Sequence, residues 1–237
     1  MAMIKRRGSP ASNQPEQEIV TLAHKLNEAT AKYRRPLVIG ASLAAAFVIL
    51  WGAFDYYRSL KEQQAAPLVA TAYELYKPAG AVPGDLGRAR DLFLEVVKKY
   101  PRTVSAAVAS YYAANCLADA GRADDAIKEY QEFIKQYGGE KFLLGLVYQR
   151  LGYTYAQTGK RDDSRKAFEQ AEALLGPGVA TMELARQYEA AGNQIEAEKK
   201  YKTVLDKLAG TSWAMEAMGK VQRFSPSPLP AAGAPMK

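Results

Sequence analysis

The feature that most constrains this chain is an uncharged apolar run from Pro36 to Phe54, PLVIGASLAAAFVILWGAF. Nineteen residues at a helical rise of about 1.5 Å nearly match a hydrocarbon core about 30 Å thick. The run, with its flank, predicts a transmembrane helix over residues 36–56. The alternative is a buried core helix of a soluble protein. Such a helix normally carries a polar stripe, and here Ser42 stands alone. The flanks suit a membrane. Lys32, Arg34 and Arg35 precede the run, and Trp51, Phe54, Tyr56 and Tyr57 gather at its far end. Amphipathic rings favour the headgroup region. Pro36 is expected in the first helical turn, where its missing N–H costs nothing.

Charge sets the expected orientation. Residues 1–35 carry seven basic side chains against three acidic ones, while the residues just after the run balance. The positive-inside rule puts this basic arm in the cytoplasm and the C-terminal bulk outside it. The run starts too late and is too long for an ordinary cleaved signal peptide, so it reads as a signal anchor. Within it, Gly40 and Ala44 sit four residues apart, beside the parallel pairs Ala41–Ala45 and Ser42–Ala46. That spacing lets a second membrane helix pack closely. In the arm, Ile19, Leu22, Leu26 and Ala29 share one helical face. A short amphipathic helix on the inner membrane surface and a frayed polar arm both fit that pattern.

The net charge of +7 is therefore partly local to the arm. Beyond residue 35 the basic and acidic side chains nearly cancel, which is a solvated mixed surface and not a nucleic-acid footprint. Cys116 and His24 are the single cysteine and histidine. They fall on opposite sides of the expected membrane, which argues against a zinc site or a Cys–His nucleophile. No Walker loop, G-x-S-x-G or HExxH occurs. No catalytic, cofactor-binding or metal-binding residue is expected, and no small-molecule substrate. The acidic pairs Asp124–Asp125 and Asp162–Asp163 follow turn glycines closely. They are expected at helix N-termini, where the macrodipole and helix capping favour them.

From about residue 66 the chain is helical and repetitive. Three stretches share one plan: an apolar helix, a glycine turn, then a second helix with a small residue and an aromatic four apart. The turn glycines are Gly121, Gly159 and Gly192. The pairs are Ala126 with Tyr130, Ser164 with Phe168, and Ala197 with Tyr201. The small residue lets two helices approach, and the aromatic fills the groove beside it. A degenerate earlier unit supplies Ala89, Phe93 and Pro101, after ATAYELYK and a long KPAGAVPGDLG loop.

A period near 34 with this pattern resembles the tetratricopeptide repeat (TPR). The expected fold is all-α: a single N-terminal transmembrane helix, a connector over 57–65, then a TPR-like solenoid of about three to four helical hairpins over 66–222. Trp213, Ala217, Val221 and Phe224 predict a capping helix. The Pro-rich tail over 223–237 is expected to be disordered.

In TPR domains ligands usually lie in the groove lined by the first helices. The register places Tyr111, Asn115, Asp119, Gln149, Tyr153, Gln157, Met182 and Arg186 there, with Glu189. Such rings and amides suit an extended polypeptide; an ordinary solvated groove is the plainer alternative. The chaperone-tail version of the fold clamps a terminal carboxylate with Lys, Asn and Arg. The corresponding positions here carry Tyr111, Asn115, Arg150, Val179 and Glu183, of which Asn115 alone matches in place.

The order of parts matters as well. KYRRPLVIGASLAAAFVILWGAFDYYRSLKEQQAAPLVATAYELY resembles the start of bacterial single-pass inner-membrane TPR proteins, above all the ancillary subunit family of the SecYEG translocon. That resemblance implies a periplasmic TPR domain that binds protein partners, namely the translocon and periplasmic chaperones. A structural role in a secretion or pilus machine, or an anchored receptor of the mitochondrial outer membrane, would use the same parts.

Overall fold

The computed structural model describes residues 14–77 and 84–224, with side chains from residue 34 onward. The helices are α1 (Gln14–Tyr76), α2 (Leu86–Lys99), α3 (Val104–Asp119), α4 (Ala123–Tyr137), α5 (Lys141–Gln157), α6 (Arg161–Leu175), α7 (Val179–Ala190), α8 (Gln194–Lys207) and α9 (Ser212–Phe224). No strand occurs among the described residues. The chain divides into two units, Met1–Tyr57 and Arg58–Lys237, and each is described by itself. Arg223 and Phe224, expected to begin the disordered tail over 223–237, belong to α9; the rest of that tail and residues 78–83 of the KPAGAVPGDLG loop lie outside the described residues.

In the first unit the apolar run is helical and uncovered. Ile49 and Leu50 are each 70 % exposed, whereas a soluble core helix buries such side chains. The helix is long and apolar enough to cross a membrane by length and composition. One expectation fails here. Pro36 does not open the helix, because α1 already begins at Gln14. A proline at that depth removes one backbone hydrogen bond from the helix interior. Gly40 and Ala44 face open space: a Cβ added at Gly40 meets nothing within 4 Å. Residues 57–65, expected as a connector, belong to α1.

The second unit is a run of helical hairpins. Three of them turn on Gly121, Gly159 and Gly192, at φ of 76°, 75° and 76°. Glycine takes this left-handed conformation without a Cβ penalty. The residue after each glycine closes the turn by donating its N–H back into the first helix. Arg122, Lys160 and Asn193 bond Leu117, Tyr155 and Tyr188 at 2.9 Å each, which satisfies carbonyls that a helix end leaves orphaned. The end of α1 forms a fourth hairpin with α2: Ala65, Ala72 and Tyr76 share a core with Ala89, Phe93 and Val96. The YGGEK insertion falls between α4 and α5, in the link between hairpins.

The small and aromatic pairs sit where two helices of a hairpin touch. Ala89, Ala126, Ser164 and Ala197 are fully buried, as are Phe93, Tyr130 and Tyr201, with Phe168 at 1 %. In the third hairpin the approach is close. A Cβ on Gly152 would lie 2.7 Å from the Phe168 ring, and the Ser164 hydroxyl donates to the Gly152 carbonyl at 2.7 Å. Helix α9 closes the far end, with Trp213, Ala217, Val221 and Phe224 packed on the core of α7 and α8. The acidic pairs do open α4 and α6. The expected capping fails: Arg122 and Lys160 hold the N-cap positions and no acidic side chain bonds a free backbone N–H there, so the pairs act by charge, and Asp125 pairs with Arg122 at 2.7 Å.

Candidate functional site

Aligning the four first helices on their buried small residues, Ala72, Ala114, Gly152 and Ala185, generates rows of equivalent positions. Three residues earlier stand Val69, Tyr111, Gln149 and Met182. One residue later stand Tyr73, Asn115, Tyr153 and Arg186. Six residues earlier comes an aliphatic row: Ala66, Val108, Leu146 and Val179. Ala66 is exposed and the other three are half-buried.

Polar contacts tie these first helices to one another, to second helices and to α9. The Tyr76 hydroxyl donates to Asp119. Arg150 Nη2 donates to Asp119 Oδ1 at 2.6 Å, and its Nε donates to Asn115 Oδ1 at 3.0 Å. The buried Tyr130 hydroxyl donates to the same Asn115 oxygen at 2.5 Å. Farther along, Tyr153 donates to Glu183 at 3.2 Å. Arg186 also donates to Glu183, at 2.8 Å, and grips Glu216 with two bonds of 3.0 and 2.7 Å. Glu189 accepts from Lys220 and from Tyr201, both at 2.7 Å.

These contacts tune the groups. Burial and the neighbouring Glu183 push the Tyr153 hydroxyl up to about 12. Burial and Asp119 push Tyr76 higher still. The Arg186 guanidinium holds the Glu216 carboxyl below the usual glutamate range. Burial works against the charge of Glu189, yet Lys220 and Tyr201 outweigh it and keep that carboxyl low as well.

The groove residues expected from the sequence therefore separate. Asn115 is 3 % exposed and Met182 is 1 % exposed, so neither is offered to a ligand. At both positions the surrounding helices close over the side chain. Asn115 is also committed to Tyr130 and Arg150, which removes the one matching clamp position. Asp119, Tyr153 and Arg186 are tied to neighbouring helices. Tyr111 is half-buried, edge-on to Tyr112 with ring centroids 5.1 Å apart. Gln149 is half-buried and Gln157 exposed.

One region was missed. Between the end of α1 and α3 lies a cleft of about 430 Å³, lined chiefly by Val69, Tyr73, Val108 and Tyr112, with Glu62 and Ser105 at its edge. Tyr112 stacks on Phe93 at 5.5 Å and meets Tyr73 edge-on at 5.1 Å. Tyr73 remains 38 % exposed. Glu62 accepts the backbone N–H of Val104 at 2.8 Å and of Ser105 at 3.0 Å, and the Ser105 hydroxyl at 2.5 Å. It thus caps α3 from another helix. The long loop after ATAYELYK obscured this hairpin. The small residue Ala72 is the signal that would have set its register.

No group of three His, Cys, Asp or Glu side chains able to hold a metal occurs among the described residues. Cys116 is buried, and burial with the nearby Asp119 pushes its thiol up to about 12.

A tetratricopeptide-repeat family model matches residues 108–139, which cover most of α3, its glycine turn and all of α4. The fold is a TPR-like solenoid. A tetratricopeptide repeat protein from Parabacteroides merdae superposes with a TM-score of 0.56 at 12 % identity, over 68 % of this chain and 60 % of that one. This chain thus spans under two thirds of that relative's length. The crystal structure of MamA superposes with a TM-score of 0.51 at 17 % identity, over 67 % of this chain and 83 % of that one. At such identities the likeness shows the fold alone. Among curated proteins, none matches the sequence. Solenoids of this kind present extended concave surfaces for binding.

Proposed function

We propose that this protein is a membrane-anchored scaffold that holds a polypeptide segment along the face formed by its first helices. The observation that carries this reading is the aliphatic row Ala66, Val108, Leu146 and Val179. Each hairpin supplies one member at the same register, and none of the four is fully buried. A purely structural position would be closed over, as Ala72 and Ala114 are. The uncovered apolar run supports the anchor, with its basic flank before it and aromatic flank behind. On that reading the basic arm is cytoplasmic, Gly40 and Ala44 are a packing face for a neighbouring membrane helix, and the solenoid lies in the periplasm. Gln149, Tyr111 and Gln157 flank the row as polar contacts for a bound backbone. The order of parts favours the protein translocon and periplasmic chaperones as partners.

Two experiments test this. Protease added to spheroplasts digests the repeat domain and spares residues 1–35; protection of the repeat domain contradicts the topology. Affinity purification from solubilised membranes recovers translocon subunits or chaperones. Recovery of secretion or pilus components instead supports an assembly role in another envelope machine. An outer mitochondrial membrane location replaces both.

A further inference from the structure

We propose that Lys61, Lys98, Lys99 and Arg102 form a docking patch for the anionic lipid headgroups of the membrane that holds the apolar run. The patch presupposes the anchor proposed above and adds a second, electrostatic hold on the same bilayer.

All four residues belong to the second unit, and they gather around one ring. Tyr100 is 5 % exposed, and its carbonyl accepts the Thr103 hydroxyl at 2.7 Å. The Lys61 ammonium from α1 stands 5.7 Å from the ring centre, and the Lys99 ammonium from α2 stands 5.6 Å from it. Two cations from different helices thus share one ring, at a distance where its face attracts them. Lys98 neighbours Lys99, and Arg102 follows Pro101. Lys98, Lys99 and Arg102 are exposed. No ion pair closes these three onto a carboxylate among the described residues. Elsewhere on the unit charges do close in pairs, as Arg150 does with Asp119 and Lys220 with Glu189. The acidic side chains nearest in sequence are Glu62 and Glu95. Glu62 is turned onto the backbone N–H groups that open α3, whose partial positive charge offsets its own. Positive charge remains in excess.

The fold accounts for part of this cluster. Lys98 and Lys99 lie in the last turn of α2, where the macrodipole favours cations. Arg102 has no such reason to be there. Its φ is 65°, and it is the one non-glycine residue with a positive φ among the described residues; the other five are glycines. Glycine would take that turn without strain. What the arginine adds over glycine is an exposed charge, and strain kept at one residue points to a function for it.

The occupant follows from charge and tether. Lys61 comes seven residues after Phe54, so no arrangement of the chain carries its Cα more than about 25 Å from the end of the apolar run. Headgroups are the anions this tether keeps near, and tethering raises their effective concentration. Basic residues close to an anionic bilayer each favour the docked state about fivefold.

The test uses the full-length protein in nanodiscs of phosphatidylcholine alone or of phosphatidylcholine mixed with phosphatidylglycerol. Both contain a lipid with a nitroxide on its headgroup as quencher. A fluorophore is attached at Val104→Cys, beside the patch, or at Ile195→Cys, which is 80 % exposed on α8; Cys116 is buried and takes no label. Quenching at position 104 is expected to rise with phosphatidylglycerol and to fall back in high salt. Position 195 is expected not to respond. Arg102→Gly, which suits the φ of that turn, lowers the docked-to-free ratio about fivefold. Adding Lys98→Gln and Lys99→Gln lowers it further while the helical melting profile is kept. Quenching at position 104 that ignores phosphatidylglycerol overturns the patch and leaves the anchor standing. So does an equal rise at position 195, or a rise that survives all three substitutions. A chain that stays out of the nanodiscs overturns the anchor, and the patch with it.

Discussion

Tyr130 donates its hydroxyl to Asn115 Oδ1 at 2.5 Å, and Arg150 from the next hairpin donates to the same oxygen at 3.0 Å. One buried amide thus ties a second helix to its own first helix and to the following one. This makes Asn115 a fold residue. Asn115→Ala leaves the Tyr130 hydroxyl without an acceptor and is expected to cost about 1–3 kcal/mol. Tyr130→Phe keeps the Arg150 bond and is expected to cost about 1 kcal/mol. Urea titration of both variants checks the order.

Glycine substitutions separate packing from backbone freedom. Gly152→Ala places a methyl group 2.7 Å from the Phe168 ring, and overpacking of this kind costs about 1–3 kcal/mol. A Cβ on Gly219 in α9 meets nothing within 4 Å. Gly219→Ala should therefore stabilise by about 0.5–1 kcal/mol through helix propensity. Melting temperatures should move in opposite directions.

Ala126→Leu tests the same contact in the second hairpin. Ala126 is fully buried, so the larger side chain is expected to destabilise by about 1–3 kcal/mol. A variant that melts like the parent would mean that α3 and α4 do not meet there.

Much of this architecture was legible from local chemistry. The three turn glycines, the small and aromatic pairs and the apolar face of α9 each state their role within a few residues. Lateral contacts were not legible. Nothing near Asn115 in sequence announces Arg150, and the burial of Met182 depends on how closely neighbouring helices approach. The start of α1 was misjudged because Pro36 is a good helix opener by local rule, yet α1 runs straight through it. The apolar cleft was hidden because the loop after Tyr76 broke the repeat spacing that set the register elsewhere.

Cys116 is 1 % exposed, and burial raises its thiol to about 12. Since the thiolate is the nucleophile, the native protein should resist a thiol-specific reagent at pH 8. In denaturant it should react with one equivalent. Rapid labelling of the native protein would mean that α3 opens readily.

The low carboxyl of Glu216 has a consequence in acid. Its folded-state value lies below the ordinary one because Arg186 bonds the charged form. Above about pH 4.3, the ordinary glutamate value, its stabilisation is fully present. As pH falls, the unfolded chain takes up the proton first, and this stabilisation is lost through the folded-state value. Glu216→Gln should flatten the acid limb of the stability curve, read by urea midpoints between pH 3 and 6. An unchanged slope would mean that the Arg186 pair is not held in solution.

The most direct measurement is site-specific photo-crosslinking in intact membranes. A crosslinking residue replaces Val108 on the first-helix face, or Ile195, which is 80 % exposed on a second helix. Crosslinks to polypeptide from position 108 and none from position 195 are the expected result. Adducts from position 195 alone would contradict the claim that the first helices hold the partner.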